Sequence, residues 1–218
     1  NIARLLPQSF AYFYALSHLW QKLGRRAPVT VAIPAGNLGN VCSAVIARRM
    51  GLDISRIIAC ENANCYLANL LAGHGGGVPR AIPTLAWAAD KGCPSNIGRL
   101  LHLCGGTTEG IAAELDAVGV SDAEIIAAVN TCYAETGYTI DPHGAMAWHA
   151  LRESLQPGQT GLILATAHPA KSLTAMSAIT GRAMDLPLQL TRFMNGTDHR
   201  RPMLPTYSAL RNIILNNL

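Results

Sequence analysis

What this chain lacks narrows it first. Its 218 residues include only three lysines, Lys22, Lys91 and Lys171, and charged residues make up just 14% of it. The formal charge of +4 is scattered rather than gathered into a basic block, so it leaves no electrostatic footprint for nucleic acid. No apolar run approaches the roughly 18 to 20 residues that a membrane-crossing helix needs. The six cysteines (Cys42, Cys60, Cys65, Cys93, Cys104, Cys132) form no C-x-x-C pair and no Cys/His zinc spacing. Several lie in apolar segments, as reduced thiols do, which points to the cytoplasm. The opening NIARLLPQSF is no signal peptide, because no charged stretch leads into an apolar core. It also lacks an initiator Met, and the expectation is a piece of a longer protein. There is no internal repeat and no low-complexity segment.

What is present begins with residues 29–49, VTVAIPAGNLGNVCSAVIARR. Val29, Val31 and Ile33 belong to a β-branched, apolar run of the kind found in a buried parallel strand. Pro34 stops it, residues 35–40 (AGNLGN) turn the chain, and apolar spacing at Val41, Ala44, Val45 and Ala47 predicts a helix over 41–50. A strand, a glycine-rich turn and a helix in that order create an anion site. The first helical turn has N–H groups with no intrahelical partner, and the helix dipole adds partial positive charge there. Gly36 and Gly39 allow close approach of a bound group. GNLGN is neither a Walker loop nor a dinucleotide fingerprint. On its own it fits a phosphate cradle and an ordinary βα turn equally well.

Before this stretch, apolar residues from Ile2 to Leu23 recur at three- and four-residue steps and predict an amphipathic helix, with Pro7 near its start. After it, Gly51 resembles a helix C-cap and residues 55–60 read as the next strand, giving a β-α-β unit with a parallel sheet. Glu61, Asn62, Ala63 and Asn64 follow just past a strand's carboxyl end, where open α/β sheets bind ligands. Residues 67–72 form a short helix, 73–83 a glycine-rich loop read as a linker, and 97–103 another helix entered through Pro94, Ser95 and Asn96. Residues 107–135 read as helical, with a capping box at Ser121 and Glu124. Residues 138–143 (YTIDPH) form a turn or short extended piece, 144–155 a helix, and 161–165 (GLILA) a buried strand ending at TAHPAK. A helix of about eight residues and a polar tail complete the chain. The fold class expected is α/β: a mostly parallel sheet with helices on both faces, the whole of 1–218 forming one domain.

Three segments thus carry polar groups in apolar settings: PAGNLGN, DPHGAMAW and TAHPAK. His143 and His168 singly fit satisfied core histidines, Thr166 a strand end and Lys171 a solvated helix residue. Together with NIARLLPQ (1–8), ENAN (61–64) and PSN (94–96), in this order and spacing, the set resembles the threonine synthases. These are pyridoxal 5'-phosphate enzymes of the tryptophan-synthase-β fold, also called fold type II. The resemblance implies that the backbone of Gly36, Asn37, Leu38, Gly39 and Asn40 holds the cofactor phosphate and that the Thr166 hydroxyl faces the pyridine nitrogen. It puts Asn1 and Arg4 near the active site, with Arg4 suited to the substrate phosphate through forked hydrogen bonds. His143, His168 and Lys171 are further motif residues. The implied reaction converts O-phospho-L-homoserine and water to L-threonine and phosphate, with no nucleic acid, membrane or metal involved.

The chain departs from that pattern in what matters most for turnover. The family's Schiff-base lysine lies far upstream of the phosphate loop in a Phe-Lys-Asp motif, and none of the three lysines here has that context. The expectation is therefore the C-terminal half of a threonine synthase, inactive alone and completed by the N-terminal segment of the same enzyme. The alternatives are a catalytically inactive relative that binds ligands or partners, and another lyase of the same fold. Ala35 stands where the family usually has Ser, and Leu38 where it has Phe. Cys65 and residues 86–89 (AWAA) also depart, which puts drift on the substrate side.

Overall fold

The computed structural model describes residues 2–75 and 80–216. The chain divides into two compact units, Asn1–Met184 and Asp185–Leu218. In the first, a four-stranded parallel sheet has the order β3-β2-β1-β4. Its strands are β1 (Val29–Pro34), β2 (Ile54–Glu61), β3 (Asp116–Gly119) and β4 (Thr160–Ile163). Val31 lies beside Ile57 on one side and Leu162 on the other, so β1 is the centre of the sheet and is buried throughout.

Alternation along β1 and β2 divides the core into two. Val29, Val31, Ile33, Ile57 and Ala59 face α1 (Ile2–Leu23) and α2 (Gly39–Arg49). Ala32, Ile58 and Cys60 face the other layer, with residues of α6 (Asp122–Thr136), α7 (Pro142–Ser154) and α8 (Leu173–Thr180). Helices therefore cover both faces, as a parallel sheet requires. The remaining helices of this unit are α3 (Tyr66–Leu71), α4 (Ile97–Leu103) and α5 (Thr108–Glu114). No described helix is long and apolar enough to cross a membrane.

Two polar bonds fix α1 against the start of α2. Buried Tyr12 donates its hydroxyl to the carbonyl of Asn40 at 2.8 Å, and Ser43 Oγ donates to the carbonyl of Leu5 at 2.8 Å. Pro7 lies inside α1 and the helix runs through it. Only Leu5, Ser9, Tyr12 and Leu16 of α1 are buried; Ile2, Leu6, Phe10 and Tyr14, also spaced by four, remain exposed.

The structure corrects the sequence reading in three places. Residues 107–135 are not one helical stretch: Asp116–Gly119 is β3, paired with β2 from Ile58 to Glu61. Four residues between two helices carry too little pattern to announce a strand, and only the distant partner makes it one. The predicted capping box is present, with Ser121 and Glu124 satisfying each other's backbone N–H. The strand at 161–165 is Thr160–Ile163 and only half-buried, as befits a strand paired on one side among the described residues. The tail contains α9 (Leu188–Met194) and α10 (Tyr207–Leu215), neither with a buried residue. Of the glycine-rich loop, residues 76–79 lie outside the described residues, as does Asn1.

Candidate functional site

Beyond Pro34 the chain leaves the sheet through Ala35, whose N–H still donates to the Cys60 carbonyl at 2.7 Å. Leu38 then takes φ +60°, the left-handed conformation that L side chains rarely adopt, and α2 begins at Gly39. With that twist Leu38 packs into the core, fully buried. Asn40 secures the turn: its Oδ1 accepts from Val41 N at 3.0 Å and its Nδ2 donates to the Pro34 carbonyl at 2.8 Å. Asn37 binds the neighbouring segment, accepting from Ser95 N through Oδ1 and from Asn96 Nδ2 through its carbonyl. Among the described residues, no protein group accepts a hydrogen bond from the N–H of Gly36, Asn37, Leu38, Gly39 or Asn40. Leu38 is fully buried, and the other four donors, at Gly36, Asn37, Gly39 and Asn40, make a cradle suited to an anion at the helix N-terminus.

The cradle opens into a cavity of ≈ 800 Å³. Its walls come from four regions. The loop and α2 give Gly36, Asn37, Gly39 and Asn40; α1 gives Arg4, Gln8 and Tyr12; the segment 87–99 gives Trp87, Ser95, Asn96 and Arg99; the far wall has His143, Thr166, Lys171 and Ser172. Among the described residues three cationic side chains, Arg4, Arg99 and Lys171, line it and no carboxylate does. Such a site favours a ligand with more than one negative charge.

The structure brings most of the expected residues together, but not all. Leu38 is fully buried and outside the lining. Asn40 contributes backbone, since its side chain is used within the turn. His168 is outside the lining: its Nδ1 accepts from Ala170 N at 3.1 Å, capping the turn Pro169–Ser172 that carries Lys171. Cys65, suspected of altering the substrate side, also lies outside the lining, at φ +28° before α3.

ENAN plays a different part from the one its position suggested. Asn62, buried, donates to Thr84 Oγ1 at 2.9 Å and Asp90 Oδ1 at 2.8 Å, while Asn64 engages the backbone of Ile82. Glu61 accepts from Leu67 N and Ala68 N at the start of α3, and burial pushes its carboxyl above the usual range against those two bonds. These residues clasp the segment that lays Ala88 and Ala89 over Gly36. Arg99 was missed altogether, although its signal was available: it lies one helical turn past Asn96 and donates to Asn96 Oδ1 at 2.7 Å.

His143 enters the cavity from the first turn of α7. Asp141 caps that helix, accepting from Gly144 N and His143 N, and its Oδ2 lies 2.9 Å from His143 Nδ1. Burial pushes the Asp141 carboxyl up, but the imidazole and the backbone donors outweigh it and hold it below the usual carboxylate range. His143 Nε2 is buried and has no hydrogen-bond partner among the described residues.

Comparison with known proteins bears on the sequence and fold as a whole. No family model matches the chain. Threonine synthase of Escherichia coli is 35% identical over 218 residues, which cover 100% of this chain and 50% of that protein. Its crystal structure superposes with a TM-score of 0.88 at 33% identity, again over 100% of this chain and 50% of the other. The structure of threonine synthase from Brucella melitensis with bound pyridoxal phosphate superposes at 0.81 and 28% identity, covering 91% of this chain and 47% of that one. The chain thus spans about half the length of the relatives it matches, and over that span its sequence and fold are similar to those of threonine synthases.

Proposed function

We propose that this chain is the C-terminal, cofactor-phosphate-binding part of a pyridoxal 5'-phosphate-dependent threonine synthase. The observation that carries the reading is the cradle of four unengaged N–H groups opening into a cavity with three cations and, among the described residues, no carboxylate. Gly36 fits it too, since the segment over the loop crowds any side chain there. A phosphate ester on a planar ring fits such a site.

In this reading the backbone from Gly36 to Asn40 binds the cofactor phosphate, and the Thr166 hydroxyl meets the ring nitrogen without forcing its protonation. When bound, the cofactor supplies an electron sink for carbanions formed on the substrate. Arg4 and Arg99 hold the phosphate of O-phospho-L-homoserine, which leaves from the γ-carbon before water adds at the β-carbon. The lysine that anchors the cofactor and moves protons comes from the N-terminal half, outside this chain. The exposed stripe Ile2, Leu6, Phe10 and Tyr14 on α1 gives that half an apolar face to cover, and the match to half of the relative's length supports this reading.

The test mixes the purified chain with the N-terminal half of E. coli threonine synthase, O-phosphohomoserine and cofactor. Phosphate release is expected only with both halves present. Borohydride should fix no cofactor to the chain alone; a specific adduct at Lys22, Lys91 or Lys171 would overturn the absence of an anchor. The lack of a matching lysine also supports a second reading, an inactive relative that binds ligand or partner. It predicts cofactor or phosphate binding with no release in either mixture.

A further inference from the structure

Among the described residues two buried side-chain polar atoms have no partner: Trp148 Nε1 and His143 Nε2. Both belong to α7, but only His143 lines the cavity. An unpaired polar atom in a protein interior costs free energy of the order of a lost hydrogen bond, so each one calls for an explanation, and for His143 the cavity that the residue lines offers one.

Its chemical character follows from the other side of the ring. Asp141 is ionised and only accepts, so His143 Nδ1 must carry the hydrogen in their 2.9 Å contact. Asp141 cannot turn away, because its two oxygens also cap α7 through Gly144 N and His143 N. The side chain is 9% exposed, so the capped carboxylate and the packing hold both its tautomer and its direction. A neutral imidazole with Nδ1–H presents a bare lone pair at Nε2.

We propose that His143 is a ligand-positioning residue of this cavity: Nε2 accepts a hydrogen bond from an O–H or N–H group of the bound phosphate ester, in the tautomer set by Asp141. The inference rests on the phosphate-binding reading and adds the second anchor point. The cradle and cations take the anion, and His143 takes the donor at the other end. A bare anion would satisfy only the first. No bond to carbon forms or breaks in this step, and the shared proton stays with the ligand.

The experiment uses the full chain with histidines labelled in 15N and titrates it with 4'-deoxypyridoxine 5'-phosphate. This ester has a ring hydroxyl and no aldehyde, so it cannot bond to a lysine. Before ligand, the His143 nitrogens are expected to show the Nδ1–H tautomer, and at saturation the Nε2 resonance should move as it takes up a hydrogen bond. Inorganic phosphate, which fills the cradle alone, should leave it in place. In binding assays His143→Phe is expected to weaken the ester about tenfold and inorganic phosphate hardly at all, while His143→Gln, which keeps an acceptor, recovers part of the loss. The wild-type spectra need no variant to fold. Ester binding with an unmoved Nε2, or an Nε2–H tautomer at the start, overturns the role of His143 alone. Failure of both ester and phosphate to bind overturns the cradle and this inference together.

Discussion

Gly36 and Ala89 meet backbone to backbone: a Cβ built on Gly36 would stand 3.0 Å from the Ala89 Cα and 3.6 Å from the Ala88 carbonyl oxygen. The glycine is thus required by the neighbouring segment as well as by any ligand. Asn62, Thr84 and Asp90 hold that segment in place, so it cannot yield cheaply. Gly36→Ala should cost about 1–3 kcal/mol in urea denaturation, the usual range for overpacking. It should also lower phosphate-ester affinity. Equal stability of the two proteins would show that the segment gives way freely.

Leu38→Gly sets two effects against each other. Glycine relieves a left-handed backbone worth about 1–2 kcal/mol, but deletes a fully buried leucine, worth about 2–5 kcal/mol. Burial is the larger, so the variant should be less stable by about 1–3 kcal/mol. A rise in thermal midpoint would mean that strain, not packing, dominates the turn.

The Asp141 carboxyl, held below its usual range, ties stability to acid. Its contribution is complete above the unfolded value of about 3.9 and disappears as pH falls through the lower folded value. Asn at 141 keeps a helix cap but has nothing to titrate. Stability of Asp141→Asn should therefore fall less than wild type between about pH 4 and pH 2, while Asp141→Ala should lose about 1–2 kcal/mol near neutrality. Parallel acid curves for wild type and the Asn variant would remove Asp141 from the account.

Thiol reactivity should sort the cysteines by environment. Burial pushes Cys42 up to about 11 and Cys60 up to about 12, whereas Cys93 is exposed. Ellman's reagent should label Cys93 promptly, and Cys42 and Cys60 only after unfolding. Prompt labelling of Cys60 would contradict its place in the sheet.

Arg99 should matter to anion binding although no motif pointed to it. Arg99→Met is expected to weaken a phosphate ester about tenfold, or about 1.4 kcal/mol, and to flatten the dependence of affinity on salt. Unchanged affinity at low salt would leave the charge to Arg4 and Lys171.

What the sequence revealed follows from the range of each signal. β1, the turn and α2 were legible because β-branched residues, Pro34 and two glycines act on their immediate neighbours. The Asn62 clasp was not, since its partner Asp90 lies 28 positions away and nothing in ENAN names it. His143 and Asp141 are two apart, so their contact could be guessed, but the bare Nε2 depends on what surrounds the ring. The tail helices had a signal that was passed over: Tyr207, Leu210 and Ile214 have helical spacing despite the polar residues before them. His168 shows the reverse case, a motif residue whose visible work is to cap a turn.

The strand order has a kinetic consequence. β1 and β2 are joined by α2 alone and can pair early, but β4 reaches β1 only after most of the first unit has been traversed, with Leu162 beside Val31. Closing so long a loop is costly before its contacts repay it, which places β4 late in folding. The cradle thus belongs to the part assembled first, and Thr166 and Lys171 to the part assembled last. A ligand touching both would join the earliest and latest contacts of the fold. By opposing the first step of unfolding, it would lengthen the lifetime of the native state as well as shift the equilibrium toward it.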